Sequence, residues 1–372
     1  MNVVSLTQKL LSFNTINPPG NEAGIARFAG KILQDNGFIV TYHDFGENRL
    51  HLIAEMGLSS KKAPLVLSGH FDTVPLGNRK WSVDPFDGTV KDGKIWGRGS
   101  SDMKGGLAVM IIASVEAFSG QTPEGGIRII FTAGEELGCQ GISGLAADNL
   151  IPGEASAVIV GEPTGNIPAS GHKGAIYLNA TATGKTAHSS MPELGENAIY
   201  KAAAAILRIK DIDFNAERDQ LLGNPTVNVG KISGGMNLNS VPDHAEFTVD
   251  IRTTTKVSHE MVLKKIAEAA GDQIAFEKLV DLEPVFTPEE DPFIQIVYEA
   301  CSIEMQAPGF PKALPYLTDG AVLQKAYKGA PVVILGPGES GQAHQTDEYC
   351  DIARLEKSVN IYKNIILNWS RK

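Results

Sequence analysis

The stretch PLVLSGHFDTVP, residues 64–75, runs apolar without polar alternation into an imidazole and a carboxylate two residues apart, His70 and Asp72. A strand with one wet face alternates polar and apolar side chains. This one does not, so it reads as a strand buried on both faces and ending in a polar tip. Alternate residues of an extended chain share a face. His70 and Asp72 would then lie side by side, the acid accepting a hydrogen bond from one ring nitrogen and leaving the other for a metal or a proton.

Outward from that strand, runs of the same style recur: HLIAEM from His51, GIRIIFTAG from Gly126, SAVIVGEP from Ser156 and PVVILGPG from Pro331. Helix-like segments separate several of them. GGLAVMIIASVEAF, after Asp102, is apolar on every side, as suits a helix buried against a sheet. The pattern predicts an α/β fold, a mostly parallel sheet flanked by helices. A chain of 372 residues has room for two domains. Between about Gly174 and Val285 the style changes: AIYLNATATG and AEFTVDIRTT alternate, while ENAIYKAAAAILRI and HEMVLKKIAEAA carry helical spacing. The expected organisation is an α+β domain at 175–284 inserted into an α/β domain built from 1–174 and 285–372, with DLEPVFTPEEDP as the return linker.

The formal charge of −10 and a pI near 5.4 argue against nucleic acid as a partner, since Lys and Arg form no basic stripe. No run approaches the roughly 18 apolar residues of a membrane helix, and MNVVSLTQKLLSFNTINPPG lacks a basic region followed by a long apolar one, so no membrane partner is expected. Cys139, Cys301 and Cys350, odd in number and far apart, read as free thiols in a reducing compartment. The expectation is a cytoplasmic protein.

His70 is one of several metal-capable residues at the ends of these runs. WGRGSSDMKGG places Asp102 between a Gly-rich turn and the buried helix; FTAGEELG puts Glu135 and Glu136, and IVGEPTG puts Glu162, after apolar runs; PVVILGPGESGQAHQTDEY supplies His344. Singly, each has a plainer explanation as a helix cap or a hydrogen-bonded structural residue. Together they point to one shared site, because ligands of open α/β sheets collect at the carboxyl ends of the strands. Imidazoles and carboxylates without thiolates suit zinc, with cobalt or manganese as substitutes. Two divalent ions bring four positive charges against the three negative ones of Asp102, Glu136 and Glu162, and a bridging hydroxide would cancel the remainder. A pair of ions about 3.5–4 Å apart also needs a bridging carboxylate, for which Asp102 is the candidate. Neighbouring side chains on extended backbone diverge, so Glu136 would ligate while Glu135 accepts a proton.

These motifs, with NPPGNE near Asn17, WSVDPF, TATGKTAHSS and GGMNLNSVPDHAEFTVDIR, follow an order that resembles a family of zinc-dependent amidohydrolases and metallopeptidases over nearly the whole chain. The family includes acetylornithine deacetylase, succinyl-diaminopimelate desuccinylase, aminoacylase and glutamate carboxypeptidase. The resemblance implies His70 and Glu162 on one zinc, Glu136 and His344 on the other, Asp102 bridging, Asp72 aiming His70, and Glu135 as general base. It also implies that the inserted domain is a lid through which a homodimer forms. His188 in AHSS matches a lid histidine that reaches the tetrahedral intermediate, often from the partner subunit, and Asn239 matches a polar residue near it. Arg252 matches an arginine that grips a substrate carboxylate, a task suited to its planar fork. Glu at position 162 goes, in the family, with deacylases and carboxypeptidases. The expected activity is hydrolysis of the amide bond of a small N-acyl amino acid, of the acetylornithine deacetylase or succinyl-diaminopimelate desuccinylase type. The alternatives are a dipeptidase or glutamate-type carboxypeptidase and, from another class, a catalytically silent metal- or ligand-binding module.

Overall fold

The computed structural model describes residues 2–59, 61–120, 122–306 and 312–371. The chain divides into two compact units, one of Met1–Gly171, Phe286–Lys312 and Thr318–Lys372, the other of His172–Val285 and Ala313–Leu317.

In the first unit, the run at 65–70 is the strand Leu65–His70, buried at every residue. It pairs in parallel with Ile127–Thr132 on one side and Ala157–Val160 on the other, and Val332–Ile334 lies parallel beyond Ala157–Val160. All four strands are buried throughout, which is why their sequences are continuous apolar runs. Their carboxyl ends share one edge of the sheet, with His70 opposite Thr132 and Ser68 opposite Val160.

Helices Val3–Leu11, Gly105–Phe118 and Ile352–Ser370 pack on one another, forming one core with Leu65, Leu67, Ile127, Ile129, Ala157 and Ile159. The alternate residues Val66, Val158 and Val332 face the other side, where Gly320–Ala326 packs on Ala157–Val160 and Val332–Ile334. Each large aliphatic side chain so buried contributes about 1.5–3 kcal/mol. The buried helix can start close to the sheet because of Gly106: a Cβ there would sit 2.5 Å from the Gly161 carbonyl oxygen.

The HLIAEM run departs from the parallel style. It lies in Arg49–Met56, antiparallel both to Ile127–Thr132 and to Ile39–Gly46, a strand with no apolar run to announce it. A two-residue connection, Glu47 and Asn48, joins Ile39–Gly46 to Arg49–Met56, and so short a loop permits only antiparallel pairing. Ile39–Gly46 pairs on one side only, which leaves it half exposed and strips it of the apolar signature.

The second unit is a four-stranded antiparallel sheet, in the order Thr226–Gly234, His244–Thr253, Gly174–Thr183, Ile274–Leu282, with helices Ala198–Lys210 and His259–Ala270. Alternation is plain in the two central strands, whose Ile176, Leu178, Phe247, Val249 and Ile251 meet Ala202, Ala205, Val262 and Ile266 in one core. Asn197 and Ser258 cap the helices by accepting from the Tyr200 and Met261 amides. Among the described residues, no helix is long and apolar enough to cross a membrane.

Candidate active site

At the carboxyl edge of the first unit's sheet, His70 ends its strand with a buried ring. Its Nδ1 lies 2.9 Å from the main-chain carbonyl of Asp72. A carbonyl only accepts, so Nδ1 carries a proton. Nε2 faces Asp102 Oδ1 at 3.2 Å and Glu162 Oε1 at 3.5 Å, donating there while the ring is charged and free to offer a lone pair once that proton is lost. On the other side of Asp102, its Oδ2 faces His344 Nε2 at 3.5 Å, and the same nitrogen lies 3.0 Å from Glu136 Oε2. The two oxygens of one carboxylate thus belong to two donor sets, His70–Asp102–Glu162 and Asp102–Glu136–His344.

The Asp72 carboxylate, expected to aim His70, lies 3.7 Å from Nδ1, farther than the Asp72 main-chain carbonyl at 2.9 Å. The strand ends at His70, so the side-by-side geometry of extended chain lapses there, and the orienting acceptor is the Asp72 main chain. The side chain turns instead to the loop after Ile127–Thr132. Its Oδ1 accepts from the Gly134 and Glu135 amides at 2.9 and 3.1 Å, and its Oδ2 from the Glu136 amide at 3.2 Å and Asn17 Nδ2 at 2.8 Å. Successive amides turned on one carboxylate form an anion cradle. Asp72 therefore holds the segment that carries both glutamates.

Glu135 and Glu136 sit on that loop rather than on extended backbone. Their carboxylates go separate ways, Glu136 to His344 and Glu135 towards Cys139, whose Sγ lies 3.4 Å from Glu135 Oε1.

Several residues escaped the sequence reading. The Glu348 carboxylate is buried and accepts from Arg98 Nη1 at 2.6 Å and from the amides of Gly99, Ser101 and Asp102 at 3.0, 2.8 and 3.0 Å. It ties the Asp102 turn to the segment that follows His344. Its sequence signal is slight, one of two adjacent acids in HQTDEYC. Asp319, buried at the start of Gly320–Ala326, lies in a group with Glu135 and Cys139. Lys104 is buried with Nζ donating to the Phe13 carbonyl at 2.7 Å, and burial pushes its pKa down to about 7.

Burial sets the electrostatics. It pushes Glu135 and Glu162 well above the usual carboxylate range, and raises Glu136 as well. For Asp102, burial works upward but hydrogen bonds from His344 and His70 prevail, holding it below that range. His344, held by Asp102 and Glu136, is pushed up to about 10. The buried imidazole of His70 is disfavoured as a cation by desolvation, yet Asp102, Glu162 and Glu135 drive it well above the ordinary value. So many carboxylates around two imidazoles call for positive charge among them.

His51 fixes the start of the glutamate loop, its Nδ1 accepting from the Ala133 amide at 3.1 Å. Burial, with His43 and Arg49 nearby, lowers its pKa to about 4. The folded value lies below the unfolded one, so the stability it contributes is present above about pH 6.5 and is lost as pH falls towards 4. Between pH 7 and 4.5, urea denaturation should show wild type losing about 2–3 kcal/mol more than H51N. Equal losses in the two proteins would refute this role.

The three remaining sequence candidates lie in the second unit. His188 and Asn239 come together there: His188 bridges to Ser240, the Ser189 amide donates to the Asn239 carbonyl at 3.0 Å, and His188 Nδ1 meets Ser190 Oγ at 2.8 Å. Arg252 stands apart, level with Ala175 and Thr226 at the far end of His244–Thr253. Its fork is engaged by Asp250, Nε to Oδ1 at 2.7 Å and Nη2 to Oδ2 at 3.0 Å, over the Tyr177 ring.

Comparison with known proteins agrees with this architecture. A family model described as peptidase family M20/M25/M40 matches residues 66–368. A probable succinyl-diaminopimelate desuccinylase of Staphylococcus epidermidis is 30% identical over 358 residues, covering 88% of each chain. An acetylornithine deacetylase of Vibrio parahaemolyticus is 28% identical over 378 residues, covering 97% of this chain and 96% of that one. In fold, the chain is similar to an M20 family metallo-carboxypeptidase of Sulfolobus solfataricus, with a TM-score of 0.83 at 19% identity over the whole of both chains. The chain belongs to peptidase family M20/M25/M40 and is one of its metal-dependent hydrolases.

Proposed function

We propose that the chain hydrolyses the amide bond of a small N-acyl amino acid, with two zinc ions as cofactors and cobalt or manganese as substitutes. The observation that carries this is the division of Asp102, one oxygen to each donor set. The residues fit such ions: His70 Nε2 is turned on two carboxylates, and Glu136 Oε1 is buried without a hydrogen-bond partner. His70 and Glu162 would hold one ion, Glu136 and His344 the other, with Asp102 between. Carboxylate and imidazole donors are those that zinc takes in hydrolytic sites. When bound, such ions supply Lewis acidity, acidifying water and polarising a carbonyl.

Within that setting Glu135 holds and moves the proton. It stands outside both donor sets, and its buried carboxylate favours the protonated form, as suits a base that must hold a proton before passing it to the leaving amine. His188, Asn239 and Arg252 are proposed as substrate-binding residues of the second unit. Release of the Arg252 fork from Asp250 would free it for a substrate carboxylate. A homodimer is proposed through the same unit, where Thr226–Gly234 is an edge strand with Ile232 exposed and Leu238 stands out at 98% exposure. A cytoplasmic location is proposed from the three free cysteines.

The deacylase reading draws support from the names of the two sequence relatives. It is tested by assaying N-acetyl and N-succinyl amino acids beside dipeptides, on protein whose metal content has been measured. N-acyl amino acids should exceed dipeptides in kcat/KM by at least tenfold. Faster cleavage of dipeptides would move the assignment to a dipeptidase.

A further inference from the structure

Beside the two donor sets lies a third group of ligand-type side chains, in which Glu135, Cys139 and Asp319 each bring one ligand atom within 4.8 Å of the others. The first two come from the loop after Ile127–Thr132, the third from the start of Gly320–Ala326. Cys139 Sγ lies 3.4 Å from Glu135 Oε1. Asp319 is 1% exposed; its Oδ2 accepts from Thr132 Oγ1 at 2.7 Å, and its Oδ1 is buried and meets no N–H or O–H donor, with the Cys139 thiol beside the carboxylate. A buried carboxylate oxygen served at best by a weak thiol donor is costly. It is also what an incoming cation would use.

We propose that Glu135, Cys139 and Asp319 form a third, inhibitory site for a thiophilic divalent cation such as Cd²⁺ or excess Zn²⁺. The donor types set the selectivity, because a thiolate with two carboxylates favours Cd²⁺ and Zn²⁺ over Mg²⁺ or Ca²⁺. The spacing suits it as well. Bonds of about 2.0 Å to oxygen and about 2.3 Å to sulfur place tetrahedral ligand atoms roughly 3.5 Å apart, close to the 3.4 Å between Cys139 and Glu135, with the Asp319 ligand atom within 4.8 Å of both. On binding, the Cys139 S–H bond breaks, its proton leaves to solvent, and a sulfur–metal bond forms, so affinity rises with pH. Occupancy removes the Glu135 lone pairs from proton transfer. That inhibitory consequence rests on reading Glu135 as the general base; the binding itself does not.

The test loads the full-length protein with Cd²⁺ after removal of its own metal, counts the ions retained after gel filtration, and records the thiolate-to-cadmium ultraviolet charge-transfer band. Wild type should hold three ions per chain and show the band. C139S should hold two and lose the band, and D319N should bind the third ion roughly 10–100-fold more weakly. Two ions without a band in wild type, or a band that survives in C139S, overturns the site. Should C139S fail to fold, D319N decides, since unchanged affinity for the third ion overturns it equally. Amide hydrolysis should fall in step with the band. Saturation of the band with activity intact would leave the site standing and overturn Glu135 as base instead.

Discussion

Glu135→Gln is expected to lower kcat by roughly 10²–10⁴-fold, with metal content and KM close to wild type. The substitution keeps shape and volume, and the Gln carbonyl can still accept from the Cys139 thiol, so the loop should hold its place. What would be lost is the proposed capacity to take a proton from water and return it to the leaving amine. Because Glu135 belongs to neither of the two donor sets that share Asp102, metal retention separates this loss from a ligand's. Metal analysis with steady-state kinetics checks it. A variant with both ions bound and activity within threefold of wild type would remove Glu135 from the chemistry.

Asp72→Asn should act one step further back and show a different signature. The carboxylate satisfies the amides of Gly134, Glu135 and Glu136 together with Asn17 Nδ2. An Asn there can keep its carbonyl towards Gly134 and Glu135. Its amide would meet Asn17, whose own Oδ1 is buried without a partner and can accept once Asn17 turns over. The contact with no repair is the Glu136 amide, now facing another donor. The cost is about 1.5–3 kcal/mol of stability, typical of a lost charge-assisted hydrogen bond. It falls on the residue proposed to hold the second ion with His344. Metal affinity should therefore weaken by roughly 10–100-fold at that set alone, so that dialysis leaves about one ion per chain, retained by His70, Asp102 and Glu162. Loss of both ions together, with a change at His70 seen by NMR of its ring nitrogens, would restore the view that the Asp72 side chain orients that imidazole.

Those two outcomes bear on how far the sequence could be read. The buried parallel strands were legible because each lacks alternation, and three of them run out at polar residues: His70, Thr132 and, past Gly161, Glu162. The central strands of the second unit were equally legible by alternation. Its outer strands were not: Ile274–Leu282 carries a register shift between Lys278 and Val280 that breaks the two-residue period, and Thr226–Gly234 is an edge strand with most residues exposed. In the site, residues at strand ends stood out, whereas Glu348, Asp319 and His51 did not. Their role is fixed by which amides or side chains approach them from elsewhere in the chain, and no local spacing records that. Asp72 shows the same limit: the residue was legible, and the direction its carboxylate takes was not.

The shared placement of Asp102 has a consequence for the order in which the centre is built during translation. His70, Asp102 and Glu162 leave the ribosome before any of the segment 172–285, and His344 follows long after it. At ~5–20 residues per second, roughly ten to forty seconds separate the two events. Yet Val332–Ile334, which pairs with Ala157–Val160, and Glu348, which holds the Asp102 turn, also follow that segment, so neither donor set takes its final form until the last part of the chain has been made.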